Sequence, residues 1–241
     1  MTPPREATVM QWRRAMVTEP HGLAWMIAWS FMVGSTLFAV GSFPAYSQNV
    51  DPGVVGITFV VGSVFFTGAG YGQFVQVVRD PSRPRRGRGL FAWRPTERAW
   101  LAVASQLAGT ILFNINTIDA MIEGLTTEQT NRLVWAPDLF GSSAFLIASH
   151  LAWIGCCGRL WCVRTDEADW WSSLSNYIGS IFFMLSALAS FTLRTTDDTL
   201  NTTIVNSGTF VGAVCFLAGA YLLLPPANRT RAVDPVSGDR A

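Results

Sequence analysis

Lysine is absent from this sequence, histidine occurs only at His21 and His150, and only 14% of the 241 residues are charged. A structural zinc site needs about four nitrogen or sulfur ligands, and two histidines with four cysteines supply them poorly, so we expect no metal and no cofactor. No soluble segment interleaves basic and aromatic side chains, so the usual pattern for nucleic-acid binding is missing. Hydrophobic residues make up 50% of the chain, too many for an ordinary soluble domain of this length. The composition therefore predicts a membrane protein.

Enzyme motifs are missing as well. The sequence has no glycine-rich phosphate loop, no His-Glu-x-x-His pattern and no conspicuous Ser/His/Asp arrangement. We therefore expect no catalytic residues and no enzymatic activity. Three of the four cysteines, Cys156, Cys157 and Cys162, lie close together, and a thiol site is one interpretation. We favour the simpler one, in which they are small apolar residues near the reducing cytoplasmic side of the membrane.

The sequence does contain six long apolar segments. They cover residues 23–43, 54–78, 100–122, 133–154, 170–193 and 204–224. Each reaches the roughly 20 residues that an α-helix needs to cross a bilayer. The first contains 21 residues, more than the apolar region of a cleaved signal peptide, so we predict a permanent helix. The sequence thus predicts an all-α integral membrane protein with six transmembrane helices.

One short motif recurs in every apolar segment: a glycine, a small residue, any two residues and a phenylalanine. The glycine–phenylalanine pairs are Gly34 and Phe38, Gly62 and Phe66, Gly109 and Phe113, Gly141 and Phe145, Gly179 and Phe183, and Gly212 and Phe216. In the odd-numbered segments a serine precedes the glycine by four residues, at Ser30, Ser105 and Ser175. Helices in lipid associate through close packing of small residues. We interpret these residues as the packing seam of the bundle.

Six registered copies of one motif indicate internal duplication. We predict three tandem two-helix hairpins that enter the membrane in the same direction, related by a pseudo-threefold axis along the membrane normal. The predicted organisation is a cytoplasmic N-terminal segment (1–22), a first hairpin (23–78), a basic cytoplasmic linker (79–98), a second hairpin (99–157), a cytoplasmic loop (158–169), a third hairpin (170–224) and a cytoplasmic tail (225–241). This two-span unit with its Gly-Ser-x-x-Phe core resembles the YrhK-like bacterial membrane domain, in three copies. The resemblance implies the hairpin architecture and no activity or site residue.

Arginines are distributed unevenly between the two sides of the predicted membrane. Fifteen of the 17 arginines fall in the N-terminal segment, the 79–98 linker, the 158–169 loop and the tail, and only Arg132 and Arg194 fall on the other side. Basic residues favour the cytoplasmic side, so we predict cytoplasmic N- and C-termini in a bacterial inner membrane. The linker is also expected to contact anionic lipid.

Aromatic residues occupy matching positions near the predicted cytoplasmic interface. Trp25, Trp100 and Trp170 each lie nine residues before a motif glycine; Tyr71, His150 and Tyr221 each lie nine residues after one. Nine residues of helix span about 13 Å, which carries each ring from the midplane to the interface. We predict that these residues are interfacial anchors.

Asp138 is the acidic residue predicted closest to the membrane midplane, three residues before Gly141. An ionisable side chain at that depth is costly and indicates function. Asn114, Asn116, Asn206 and Thr209 fall in the same half of the membrane, so the five side chains could line a polar cavity. In the alternative, the fourth helix begins at Leu139 and Asp138 is only an interfacial cap.

These observations favour a multi-pass bacterial membrane protein with a structural or interaction role, whose Gly/Ser faces are available for oligomerisation. The alternative is a small transporter or channel that uses the polar cluster around Asp138. A membrane enzyme is a more distant third possibility.

Overall fold

The structure is a computed structural model that describes residues 22–80 and 93–224. These residues form six long helices: α1 (Gly22–Ser42), α2 (Pro52–Val78), α3 (Arg98–Asp119), α4 (Ala136–Cys157), α5 (Ala168–Ala189) and α6 (Thr202–Leu222). The predictions for the N-terminal segment, for most of the basic linker and for the C-terminal tail fall outside the described residues.

All six helices are long and apolar enough to cross a bilayer. Their outer surfaces carry large apolar side chains that remain exposed in the isolated chain, including Ile57, Val64, Ile111, Phe140 and Ile178. Such a surface is unfavourable in water and suits the lipid interior. The prediction of an all-α integral membrane protein is therefore confirmed.

Local sequence signals set several helix ends. The Asp51 carboxylate accepts hydrogen bonds from the backbone N–H groups of Gly53 and Val54, at 2.9 and 3.4 Å, and Pro52 occupies the first turn of α2. Asn201 caps α6 by accepting from the N–H of Ile204 at 3.0 Å. These caps supply partners for backbone groups that a helix end leaves unsatisfied.

Each helix packs against its neighbours in chain order, and α1 also packs against α6. The six helices therefore form a closed ring. Residues 22, 79–80, 93–97, 158–167 and 223–224 lie at one end of the ring, which we call the arginine-rich end. The connections 43–51, 120–135 and 190–201 lie at the other, which we call the loop end.

The motif glycines lie where the two helices of a hairpin cross. A β-carbon added at Gly109 would lie 2.8 Å from the ring of Phe145 and 3.0 Å from the carbonyl oxygen of Gly141. Gly34 in α1 and Gly179 in α5 make matching close approaches to the helices that follow them. The small residues directly after the glycines are fully buried: Ser35, Ser63, Thr110, Ser142, Ser180 and Ala213.

Two layers of phenylalanine rings fill the axis of the ring. Phe38, Phe113 and Phe183 form a triangle with ring centroids 5.7–6.2 Å apart. The second triangle consists of Phe66, Phe145 and Phe216, with centroids 5.8–6.4 Å apart. Within each hairpin the two layers touch at 4.9–5.4 Å. The first triangle faces the loop end, and together the layers close the axis near mid-height.

The Gly/Ser faces proposed for oligomerisation are thus used inside a single chain. The motif glycines contact the paired helix, and Ser63 and Ser142 make hydrogen bonds to the next hairpin. The predicted seam serines, Ser30, Ser105 and Ser175, are half-buried, whereas the residues after the glycines are fully buried. The origin of the three hairpins by duplication stays a prediction.

Candidate functional site

A cavity of about 220 Å³ lies on the bundle axis between the first phenylalanine triangle and the loop end. All six helices contribute to its wall. Phe38, Phe113 and Phe183 lie at one end, and Gly56, Ala120 and Ser190 lie near the loop ends of their helices. The cavity is therefore blind, closed toward the arginine-rich end by packed aromatic rings.

Asp138 lies in the wall of this cavity and inside a helix. Its carboxylate oxygen Oδ2 lies 3.2 Å from Ser190 Oγ, which donates to it from the residue that directly follows α5. Helix α4 is extended backwards by a short helix (Thr127–Thr130) and a π-helical turn (Asn131–Trp135), so continuous helical structure runs from Thr127 to Cys157. The alternative in which the fourth helix begins at Leu139 is therefore wrong.

The π-helical turn explains how α4 passes through Pro137 without ending there. Proline has no N–H group, so it cannot bond to the carbonyl four residues earlier, and its ring crowds the preceding turn. The wider turn relieves this crowding, and the side-chain amide of Asn116 donates to the Val134 carbonyl at 2.8 Å. Wide turns of this kind are frequent at functional sites, and this one immediately precedes Asp138.

The third hairpin presents a related arrangement. Ser186 Oγ donates to the Val205 carbonyl at 2.9 Å and shares a hydrogen bond of 2.8 Å with Thr209. Ser186 and Asn116 occupy the same position, seven residues after the motif glycine of their helices. In the first hairpin this position is Gly41, and a β-carbon there would lie 2.8 Å from the Phe59 ring. Polar side chains therefore come from the second and third hairpins, and the first contributes aromatic surface.

Three of the five predicted cavity residues line the cavity: Asp138, Asn116 and Thr209. Asn114 instead donates to Thr67 Oγ1 at 2.6 Å, which ties α3 to α2. Asn206 is half-buried and is not part of the lining. The structure places these two residues outside the lining, because depth in the membrane does not determine which face of a helix a side chain occupies.

Several polar residues of the lining were not predicted from the sequence. They are Thr117, Thr130, Trp135, Ser186 and Ser190. Ser186 could have been found from its position seven residues after the motif glycine, which it shares with Asn116. The others carry no recurring spacing that would have identified them.

The loop end of the bundle is acidic. Its described residues include these acids: Asp51, Asp119, Glu123, Glu128, Asp197 and Asp198. Arg132 and Arg194 are the basic residues of the same region. An excess of one sign of charge around a cleft raises the local concentration of ions of the opposite sign, so this end attracts cations.

The predicted interfacial anchors differ in how far their side chains are exposed. Trp25 is 48% exposed and Tyr221 63% exposed, as an anchor in the lipid interface requires. Trp100 and Trp170 are only 6% and 7% exposed. The Trp170 indole donates to the Cys162 carbonyl at 3.1 Å. This ring therefore packs against the α4–α5 connection and does not face the lipid interface. His150 packs beside Tyr177 at 5.7 Å and lies outside the cavity.

Cys157 and Cys162 form a disulfide, contrary to the favoured interpretation of the cysteines. Cys157 ends α4, and Gly158, with a φ of 68°, reverses the chain so that Cys162 returns to it. The two Cα atoms lie 5.3 Å apart. Trp153 and Trp170 pack around the pair. Cys156 and Cys215 remain free thiols.

Comparison with protein-family models, with curated proteins and with solved structures finds no match. The resemblance to the YrhK-like domain therefore stays a prediction.

Proposed function

We propose that this multi-pass membrane protein binds a small solute in the blind cavity at its loop end. The observation that carries the proposal is the position of Asp138. Its carboxylate lies on the wall of an axial cavity, a costly place for an ionisable group, and the matching positions of the other two hairpins carry no acid, since Phe59 and Thr209 stand there. The binding involves no enzymatic step.

The size and shape of the cavity support a small ligand. Pockets for drug-sized molecules occupy roughly 300–1,000 Å³, and this one occupies about 220 Å³. Its wall is mostly apolar and aromatic, with a few polar groups, as in typical small-molecule sites. The phenylalanine layers favour binding over passive conduction, because an open channel needs a continuous path along the axis.

We also propose the orientation that the arginine distribution predicts, with the arginine-rich end in the cytoplasm and the cavity open to the outside. A stable disulfide at Cys157 and Cys162 is unusual in a reducing compartment. In this orientation the pair is therefore reduced at least part of the time in the cell.

A second candidate is a structural or interaction module that binds no solute. The packing role of the recurring motif favours it, since every motif phenylalanine is at least 95% buried. The two candidates differ at Asp138. A structural module predicts that Asp138→Asn changes nothing beyond a modest shift in stability, whereas a solute-binding protein predicts lost binding.

Accessibility of the cavity tests the proposal. A small thiol reagent should modify Thr209→Cys in the purified protein, because Thr209 lines the cavity. Ser142→Cys should stay unmodified, because Ser142 is fully buried between helices. Glu123→Cys lies in an exposed connection and gives the labelling rate of a fully accessible thiol. A Thr209→Cys variant as unreactive as Ser142→Cys would contradict the proposal.

A further inference from the structure

We infer that the ligand of the cavity is a small alkylammonium ion, of about the size of choline. This inference rests on the proposed function and adds the chemical class of the solute. It follows from the charge of the cavity, the composition of its wall and its volume.

Charge comes first. Asp138 is the single ionisable side chain among the described residues that line the cavity. Ser190 donates one hydrogen bond to the carboxylate, and no arginine contributes to the lining. A carboxylate in a mostly apolar wall without a positive partner is unfavourable. A cationic ligand supplies that partner, and the acidic loop end concentrates cations nearby.

The composition of the wall selects the kind of cation. Metal ions such as Ca²⁺ take about six to eight oxygen ligands, and the described part of the chain has no group of three or more acidic, histidine or cysteine side chains that could hold a metal ion. Aromatic rings are abundant instead, at Phe38, Phe59, Phe113, Trp135 and Phe183. Rings of this kind attract ammonium groups through their faces and accept the alkyl substituents as apolar surface. A carboxylate combined with aromatic rings therefore suits an organic ammonium ion.

The hydroxyl groups and the volume complete the description. Ser186, Thr209 and Thr117 place hydroxyl groups on the wall, so a ligand that also carries a hydroxyl group can be hydrogen-bonded. The volume of about 220 Å³ accommodates a trimethylammonium group with a short chain and is smaller than the roughly 300–1,000 Å³ of pockets for drug-sized molecules.

Two ligands of the same shape test this inference. Choline and its neutral carbon isostere, in which a tert-butyl group replaces the trimethylammonium group, differ only in charge. Thermal unfolding of the purified protein should be measured with each ligand, and with sodium chloride at matched ionic strength. Choline should raise the unfolding midpoint with increasing concentration, while the isostere and sodium chloride leave it unchanged.

Substitutions inside and outside the cavity test whether choline stabilises the protein by binding there. Asp138→Asn should weaken the apparent affinity for choline by about tenfold or more, because it removes the negative charge that attracts the ammonium group. Asp119→Asn, a matched change at the loop end outside the lining, should bind choline as the wild type does. Phe59→Leu should weaken binding severalfold by removing an aromatic ring, which provides a second test if Asp138→Asn folds poorly.

Several results would overturn the inference. Equal stabilisation by the isostere would show a neutral ligand, and stabilisation by sodium chloride alone would show an inorganic cation. If choline does not change the unfolding midpoint while Thr209→Cys reacts with the thiol reagent, the inference of an ammonium ligand is wrong, and the proposed function is not contradicted. If Thr209→Cys does not react, the proposed function falls as well.

Discussion

At the scale of single residues, the bundle depends on positions where two helices approach too closely for a side chain. Gly109 is one, since a β-carbon there would meet both the ring of Phe145 and the backbone of Gly141. Gly68, in α2, has no atom within 4 Å of the equivalent point. The two glycines therefore separate the effect of close packing from the general effect of glycine in a helix.

Gly109→Ala should lower the thermal unfolding midpoint, with a cost of roughly 1–3 kcal/mol from overpacking. Gly68→Ala should leave the midpoint unchanged or raise it slightly, because alanine favours helices by about 1 kcal/mol over glycine. Thermal unfolding in detergent, followed by intrinsic fluorescence, measures both variants. Equal midpoints for the two would show that Gly109 does not lie at a close helix crossing.

The recurring spacing made the glycines, the small residues after them and the phenylalanines predictable, but not how deeply each small residue of the seam is buried. A helix turns about 100° per residue. The serine four residues before a glycine therefore lies about 40° from it around the helix, and the residue directly after lies about 100° away. Both positions border the glycine face, and only the placement of the neighbouring helix decides that Ser35 is fully buried and Ser30 is not.

At the scale of helices, the least predictable feature was the start of α4. Proline usually marks the end or beginning of a helix, and Pro137 lies one residue before Asp138. The structure continues the helix through a π-helical turn that is held by a hydrogen bond from Asn116 to Val134. That bond joins two helices, and a pattern within one segment cannot reveal it.

The α4–α5 connection provides a second test at this scale. Cys162→Ser should lower the unfolding midpoint, because the disulfide to Cys157 restricts the unfolded chain by roughly 2 kcal/mol for so short a loop. Reducing agent should lower the wild-type midpoint by a similar amount and should not change Cys162→Ser. Cys215→Ser, which removes a free thiol, is the control. A wild-type midpoint that does not respond to reduction would contradict the pairing.

At the scale of the whole molecule, the helices and their order were predictable from local patterns, whereas closure of the ring followed only from the predicted pseudo-threefold axis. Composition and segment length were enough for the six spans. Contact between α1 and α6 joins the two ends of the described chain, and no local pattern encodes a contact over that separation. The axial cavity depends on this closure, since its wall includes Phe38 from α1 and Thr209 from α6.

The central claim is that packed phenylalanine rings divide the bundle axis, leaving a cavity that is accessible only from the loop end. Side-specific labelling with a membrane-impermeant thiol reagent tests it most directly. Asp138→Cys and Arg159→Cys should be compared in intact cells and in inverted membrane vesicles, with labelling measured above that of the wild type. We predict that each variant is labelled from one side only and that the two sides are opposite. Labelling of Asp138→Cys from the side that labels Arg159→Cys would show a path through the phenylalanine layers and contradict the account.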